Sequence, residues 1–343
     1  MPDGILPRMR RISIVTLGLC LGLSSFAAPR VGFAAGWKKL GGLGPKGPKT
    51  VQSETFAVAN GVYFAVNAIF QGQSNLIRSK DGGATWQAVP GLSPKEQAQS
   101  VEARDNAVYV ATTGGIYLSE NGGDSWTQIK KGMTKKRVTS IATGKGMVVA
   151  VLDRSELLCG QRSVKGKWTW KRAKKGLPKT YDNLGDLAIS AKAIFVGVMI
   201  DDVGRTAKVF RSTDVCKSFN PVMIGQTVEA SDQAVIAGGF QGFAVSTDQG
   251  VSFKPVPAPT RQEGTYNFVV VGPAVYAGLL DVEGPSAILR LSSDLEGWDR
   301  LPLAGLPQTN IPPVFMVAGA ALYLIANAAE LYVIDVPALA AVN

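Results

Sequence analysis

Short apolar runs recur along the chain in one form, an apolar stretch closing on a small residue. The copies are VYFA to Ala65, VYVA to Ala111, MVVA to Ala150, IFVG to Gly197, VIAG to Gly238 and VYAG to Gly278, with LYLI to Ile325 as a seventh. They are rich in β-branched and aromatic residues and too short for stable helices, so they predict strands. Their steps of 46, 39, 47, 41, 40 and 47 residues match a unit of four strands repeated around an axis. The small closing residues suit inner strands converging on a crowded centre.

A polar motif recurs in the same phase. Five octapeptides read alike: SKDGGATW (79–86), SENGGDSW (119–126), SVKGKWTW (163–170), STDVCKSF (212–219) and STDQGVSF (246–253). A sixth, SSDLEGW (292–298), is one residue shorter. The pattern places Ser79, Ser119, Ser163, Ser212, Ser246 and Ser292 first. Asp81, Asn121, Asp214, Asp248 and Asp294 stand third, and Trp86, Trp126, Trp170, Phe219, Phe253 and Trp298 last. An apolar strand runs into the Ser, and the Asp side chain is suited to accept backbone N–H groups across the tight turn that follows. Glycine supplies positive φ where the chain reverses. The aromatic opens the next strand and packs back against the sheet.

These octapeptides resemble the Asp-box (BNR-type) repeats of bacterial sialidases, sortilin-type receptors and the photosystem II stability/assembly factor family. The resemblance covers most of the chain and implies an all-β, seven-bladed β-propeller with Asp-box hairpins. The box is a hairpin device in all these families, so it specifies fold and not activity.

Seven strand copies against six boxes require an explanation, and circular closure supplies one. The last repeat has strands near 314–317, 322–326 and 331–335 and no fourth. The N-terminal GWKKLGGLG (36–44) resembles the fourth strands TWQAVPGLS and TWKRAKKGLP elsewhere. The expectation is a ring closed by the N-terminal strand, with Trp37 buried against residues 331–336 and two sheet edges removed at once. One propeller domain is assigned to residues 35–343.

Residues 1–34 read as a secretory signal peptide, with Arg8, Arg10 and Arg11 ahead of an apolar stretch over 12–28 and small residues before a cut after Ala34. Export to the periplasm or the exterior is therefore expected. The full chain carries a formal charge of +10; without residues 1–34 it is about +7. Outside the cytoplasm such a charge suits anionic lipid headgroups, acidic glycans or an acidic protein surface. No later apolar run reaches spanning length, so no transmembrane segment is expected after cleavage. Nor is a nucleic-acid partner, and the ring should be a monomer.

There is no His in the chain, which excludes His triads, His acid–base chemistry and His-ligated metals. No cofactor or metal is expected. Cys159 and Cys216 are the cysteines left after cleavage; the repeat alignment puts one in a strand and the other in a turn of the next repeat, and leaves their pairing open.

Function is expected on the face away from the boxes, where second-to-third and fourth-to-first connections lie. The candidate binding residues there are Lys130, Lys131, Lys135, Lys136, Arg137, Lys174, Lys175 and Lys179, with Lys46 and Lys49 after the closing strand. Such a set suits docking to an acidic partner or anionic surface, or a solvated face. Asp153, Asp201, Asp202, Asp281 and Glu283 fall in second-to-third loops, where solvated loop charge is the simpler reading. The alternative function is a sialidase-like exo-glycosidase, which needs three convergent Arg, a Tyr nucleophile with a Glu partner, and an Asp acid/base. No catalytic residue is assigned, because Arg78, Arg162, Arg211 and Arg290 recur beside the boxes as repeat positions. The assembly-factor family implies instead a protein that binds a membrane-protein assembly intermediate. The scaffold role carries over from that resemblance, and the partner does not.

Overall fold

A computed structural model describes residues 14–15, 38–42, 56–66, 76–92, 96–130, 137–144, 146–173, 175–201, 206–239, 241–259, 264–280, 287–301, 314–318, 321–326 and 330–335. The described residues form seven antiparallel sheets. The first five sheets are four-stranded meanders: the first runs through Phe56–Ala59, Val62–Val66, Leu76–Ser79 and Gln87–Ala88. The first strands of successive sheets neighbour one another in a complete circle, from Phe56–Ala59 round to Val314–Ala318 and back. The protein is thus an all-β, seven-bladed β-propeller. In the sixth blade Ile14–Val15 adds a short fifth strand beside Gly264–Val271.

Closure follows the expected route. Lys38–Gly42 is the outer strand of the seventh blade, pairing antiparallel with Glu330–Asp335 so that Lys38 faces Val333 and Gly42 faces Glu330. Leu331 is fully buried, and Leu40 packs into the same cluster as Leu331, Tyr63, Ile77 and Trp86. Blade 7 and blade 1 therefore share one hydrophobic seam, sealed by a strand from the start of the chain. Lys39 adds a contact with Glu330 and lies 6.0 Å from the ring centre of Tyr332. Trp37, the expected anchor, lies outside the described residues.

The small residues of the repeated apolar runs have a different cause from the one expected. Those runs are the second strands of the blades, not the ones nearest the axis. Gly197 lies in Ile194–Met199, where a Cβ would stand 1.9 Å from the carbonyl oxygen of Gln226 at the start of blade 5. At Gly197 the second strand must be small because the next blade's backbone crosses it, and the cores run between blades as well as within them.

Candidate functional site

Each octapeptide builds its own turn. In blade 1 the Ser79 hydroxyl donates to Asp81 Oδ1 (2.7 Å) and accepts the buried Gly83 N–H (2.8 Å). Asp81 in turn accepts the Thr85 N–H (2.9 Å) and hydroxyl (2.5 Å). Blades 4 and 5 repeat this through Ser212–Asp214–Ser218 and Ser246–Asp248–Ser252. Asn121 substitutes for Asp in blade 2, and Ser292–Asp294 closes the shorter turn of blade 6. Hydrogen bonds from the seventh-position Thr or Ser hold Asp81 and Asp214 at about 2, well below the usual carboxylate range, and lower Asp248 further. Ser163 keeps only the bonds of its own turn, because Lys165 stands where the Asp would be.

The octapeptides also join neighbouring blades, which sequence reasoning missed. A Cβ at Gly123 would lie 2.7 Å from the ring of Phe64 in blade 1, and one at Gly250 would lie 2.5 Å from Phe195 in blade 4. Arg78 reaches across to the Gly122 carbonyl (2.7 Å) and Asp124 (2.7 Å), Arg211 donates to the Gln249 carbonyl (2.7 Å), and Arg162 pairs with Glu120 (2.7 Å). The closing aromatics reach the previous blade's exit: Trp170 Nε1 donates to the Ile129 carbonyl (3.1 Å) and Trp298 Nε1 to that of Pro257 (2.9 Å). Cys216 occupies the fifth position that Gly83, Gly123 and Gly250 hold elsewhere, at φ +61°. It forms a disulfide with Cys159 in Glu156–Arg162 (Cα–Cα 6.3 Å), so blades 3 and 4 are joined covalently where other blades use glycine packing.

A cavity of about 870 Å³ opens along the axis, lined by the C-terminal halves of the first strands and the hairpins that follow them. Antiparallel pairing puts those hairpins on the same face as the octapeptides. The described cavity therefore opens on the octapeptide side, whereas sequence reasoning looked to the opposite face. Among the described residues its lining carries Glu102, Asp105, Asp186, Glu229 and Asp232 against one cation, Arg104, an acidic surface inside a basic protein. Arg104 of blade 2 reaches across the axis to both carboxylate oxygens of Asp232 in blade 5, at 2.9 and 2.8 Å. Among the described residues no group of three His, Cys, Asp or Glu is placed to hold a metal ion.

The expected binding residues are only partly described. Arg137, Lys175 and Lys179 are exposed. Arg137 donates to Gln99 Oε1 (2.6 Å) and its N–H to Asp153 Oδ1 (3.1 Å), and the Lys175 carbonyl accepts the Phe219 N–H (3.0 Å). Lys131, Lys135, Lys136 and Lys174 lie outside the described residues, as do Lys46, Lys49, Asp202, Asp281 and Glu283; Lys130 ends the outer strand of blade 2. Asp153 ties its turn to the entry of the first strand of blade 3 at Arg137, and Asp201 serves its own loop, accepting the Thr206 N–H (2.9 Å). Burial, and then a hydrogen bond to Glu96, push the Tyr117 hydroxyl up, away from the phenolate form. No helix among the described residues is long and apolar enough to cross a membrane.

Solved propellers share this architecture. The chain is similar to YCF48 from Cyanidioschyzon merolae (13% identity, TM-score 0.55, covering 88% of this chain and 99% of that one). It is similar to the YCF48 of a structure described as bound to D1 peptide (15%, 0.57, 89% and 99%), and to an ancestral GH74 enzyme (13%, 0.56, 88% and 46%). At these identities the likeness is one of fold. No curated protein matches the sequence. The family model described as the DUF6242 beta propeller domain matches residues 35–272, and the chain belongs to that family.

Proposed function

We propose that this chain is an exported, non-catalytic binding propeller that docks a protein complex or an anionic surface, in the manner of an assembly factor. The observation that carries this reading is the engagement of its arginines. Arg78, Arg162 and Arg211 each bind a neighbouring blade's octapeptide, and Arg104 is paired across the axis, so these cations serve the ring. The exposed cations are instead chiefly lysines, flexible point charges that suit docking more than bidentate capture of a small acid. A YCF48 structure bound to D1 peptide gives a precedent for peptide binding on this architecture. In this reading residues 1–34 direct export and the octapeptides are Asp boxes with a structural role.

The test is crosslinking and pull-down from the envelope fraction with the chain lacking residues 1–34. A saturable partner whose capture weakens with salt supports the reading. Turnover of glycosides, with no partner captured, refutes it.

A further inference from the structure

The outer edge of blade 3 departs from the repeat in charge and composition. Its octapeptide has Lys165 in place of the acid, and from Arg162 to Tyr181 the sequence has eight cations and no Asp or Glu. Glu120 is paired with Arg162 (2.7 Å) and Glu156 with Arg172 (3.3 Å), Asp182 follows the segment, and Lys165, Lys167, Lys171, Lys175 and Lys179 are exposed. At the tip of the hairpin Val164 is fully exposed, 108% of its reference area, between Ser163 and Lys165. Beside the tip, Trp168 and Trp170 are half-buried and stacked (centroids 5.7 Å, planes 24° apart) on the outer strand Trp168–Arg172. Both are packed on one side against the seam with blade 2, Trp168 edge-to-face with Tyr109 (6.4 Å) and Trp170 over Gly160 with its N–H bound to the Ile129 carbonyl.

We propose that this edge docks on an anionic lipid bilayer, with Val164 at the headgroup boundary, the indoles at interfacial depth and the lysines over the lipid phosphates. The proposal rests on the docking reading above and names its surface. Charge complementarity and residue type select the occupant. Six of the eight cations are Lys, whose hydrated point charge complements a diffuse field of anionic headgroups. An apolar tip ringed by lysines and flanked by indoles is the composition that partitions to an interface.

The test is co-sedimentation of the chain lacking residues 1–34 with vesicles of phosphatidylglycerol in phosphatidylcholine, against phosphatidylcholine alone, at low and high salt. Each lysine near an anionic surface contributes roughly a fivefold factor. Lys165→Gln, Lys167→Gln and Lys171→Gln together should therefore weaken binding about 100-fold. The exposed control triple Lys192→Gln, Lys208→Gln and Lys217→Gln should change it less than about threefold at equal charge. Val164→Ser should cost a few-fold at high salt, where the apolar contribution remains. Equal loss in the two triples, or wild-type binding that does not distinguish the two vesicle types, overturns the proposal. If the envelope partner is still captured while vesicles are not bound, the edge proposal fails and the docking reading stands. If anionic vesicles are bound and no protein is captured, the edge proposal stands and the protein-complex form of that reading fails.

Discussion

The Cys159–Cys216 bridge yields the most quantitative prediction. It closes a loop of 57 residues between the third strand of blade 3 and the octapeptide of blade 4. Confining a chain of that length in the unfolded state is worth about 4 kcal/mol in the chain-entropy account, a large share of a typical domain's stability of about 5–15 kcal/mol. Both cysteines are buried, in a cluster with Leu157, Phe210 and Phe219, so Cys159→Ser with Cys216→Ser should lower the unfolding free energy by about that amount. Glycine at 216 offers a second arm. Cys216 holds φ +61° where three of the other octapeptides have glycine, so Cys159→Ala with Cys216→Gly should recover on the order of 1 kcal/mol by relieving backbone strain. The assay is urea unfolding followed by fluorescence, with the oxidised state verified by mass. Identical midpoints for the wild type and the double-Ser variant would refute the reasoning, and a Gly variant less stable than the Ser variant would refute the strain argument.

Other predictions follow from the turns and the seams. Ser79→Ala leaves the buried Gly83 N–H without its acceptor and should cost about 1–3 kcal/mol, whereas Ser163→Ala, whose bond is exposed, should cost less than about 1 kcal/mol in the same denaturation assay. Because Asp81, Asp214 and Asp248 have folded-state values lowered below the usual carboxylate value, their stabilisation is present above about pH 4 and is lost as pH falls through their folded values. Thermal melts should drop over that acid range, and Asp81→Asn with Asp214→Asn should flatten the drop. Gly250→Ala forces a Cβ to 2.5 Å from Phe195 at φ +77° and should lower the melting temperature, which differential scanning calorimetry measures. Deleting residues 36–42 should unseal Leu331 and expose the edge of Glu330–Asp335, giving aggregation on gel filtration; a monomer with an unchanged melt would contradict closure.

The fold was legible because its devices are local and repeated. A Ser, an Asp two residues on, a Ser or Thr four further and an aromatic after it specify one hairpin, and the hairpin recurs at blade spacing. Closure was legible for the same reason, since Lys38–Gly42 belongs to a segment that reads as a fourth strand without the three before it. The contacts between blades were not legible. Nothing in the sequence says that Gly123 must clear Phe64, that Arg78 leaves its own blade for Gly122, or that Cys216 meets Cys159, because each depends on how neighbouring blades are rotated about the axis. The axial cavity was hidden similarly: Glu102, Asp186 and Glu229 are isolated acids in sequence and gather only when the first strands converge.

The proposed docking reading, joined to the lysines that the sequence places at the exits of blades 2 and 3, has those lysines meeting the partner. Residue-resolved crosslinking in the intact envelope tests it most directly, with a photoreactive amino acid placed in turn at Lys131, Lys135, Lys175 and Lys179, and at Lys192, Lys208 and Lys217 as comparison positions. The account predicts adducts from the first set, weakened by salt, and little from the second. Adducts from the comparison positions alone, or equal adducts at every position, would contradict it.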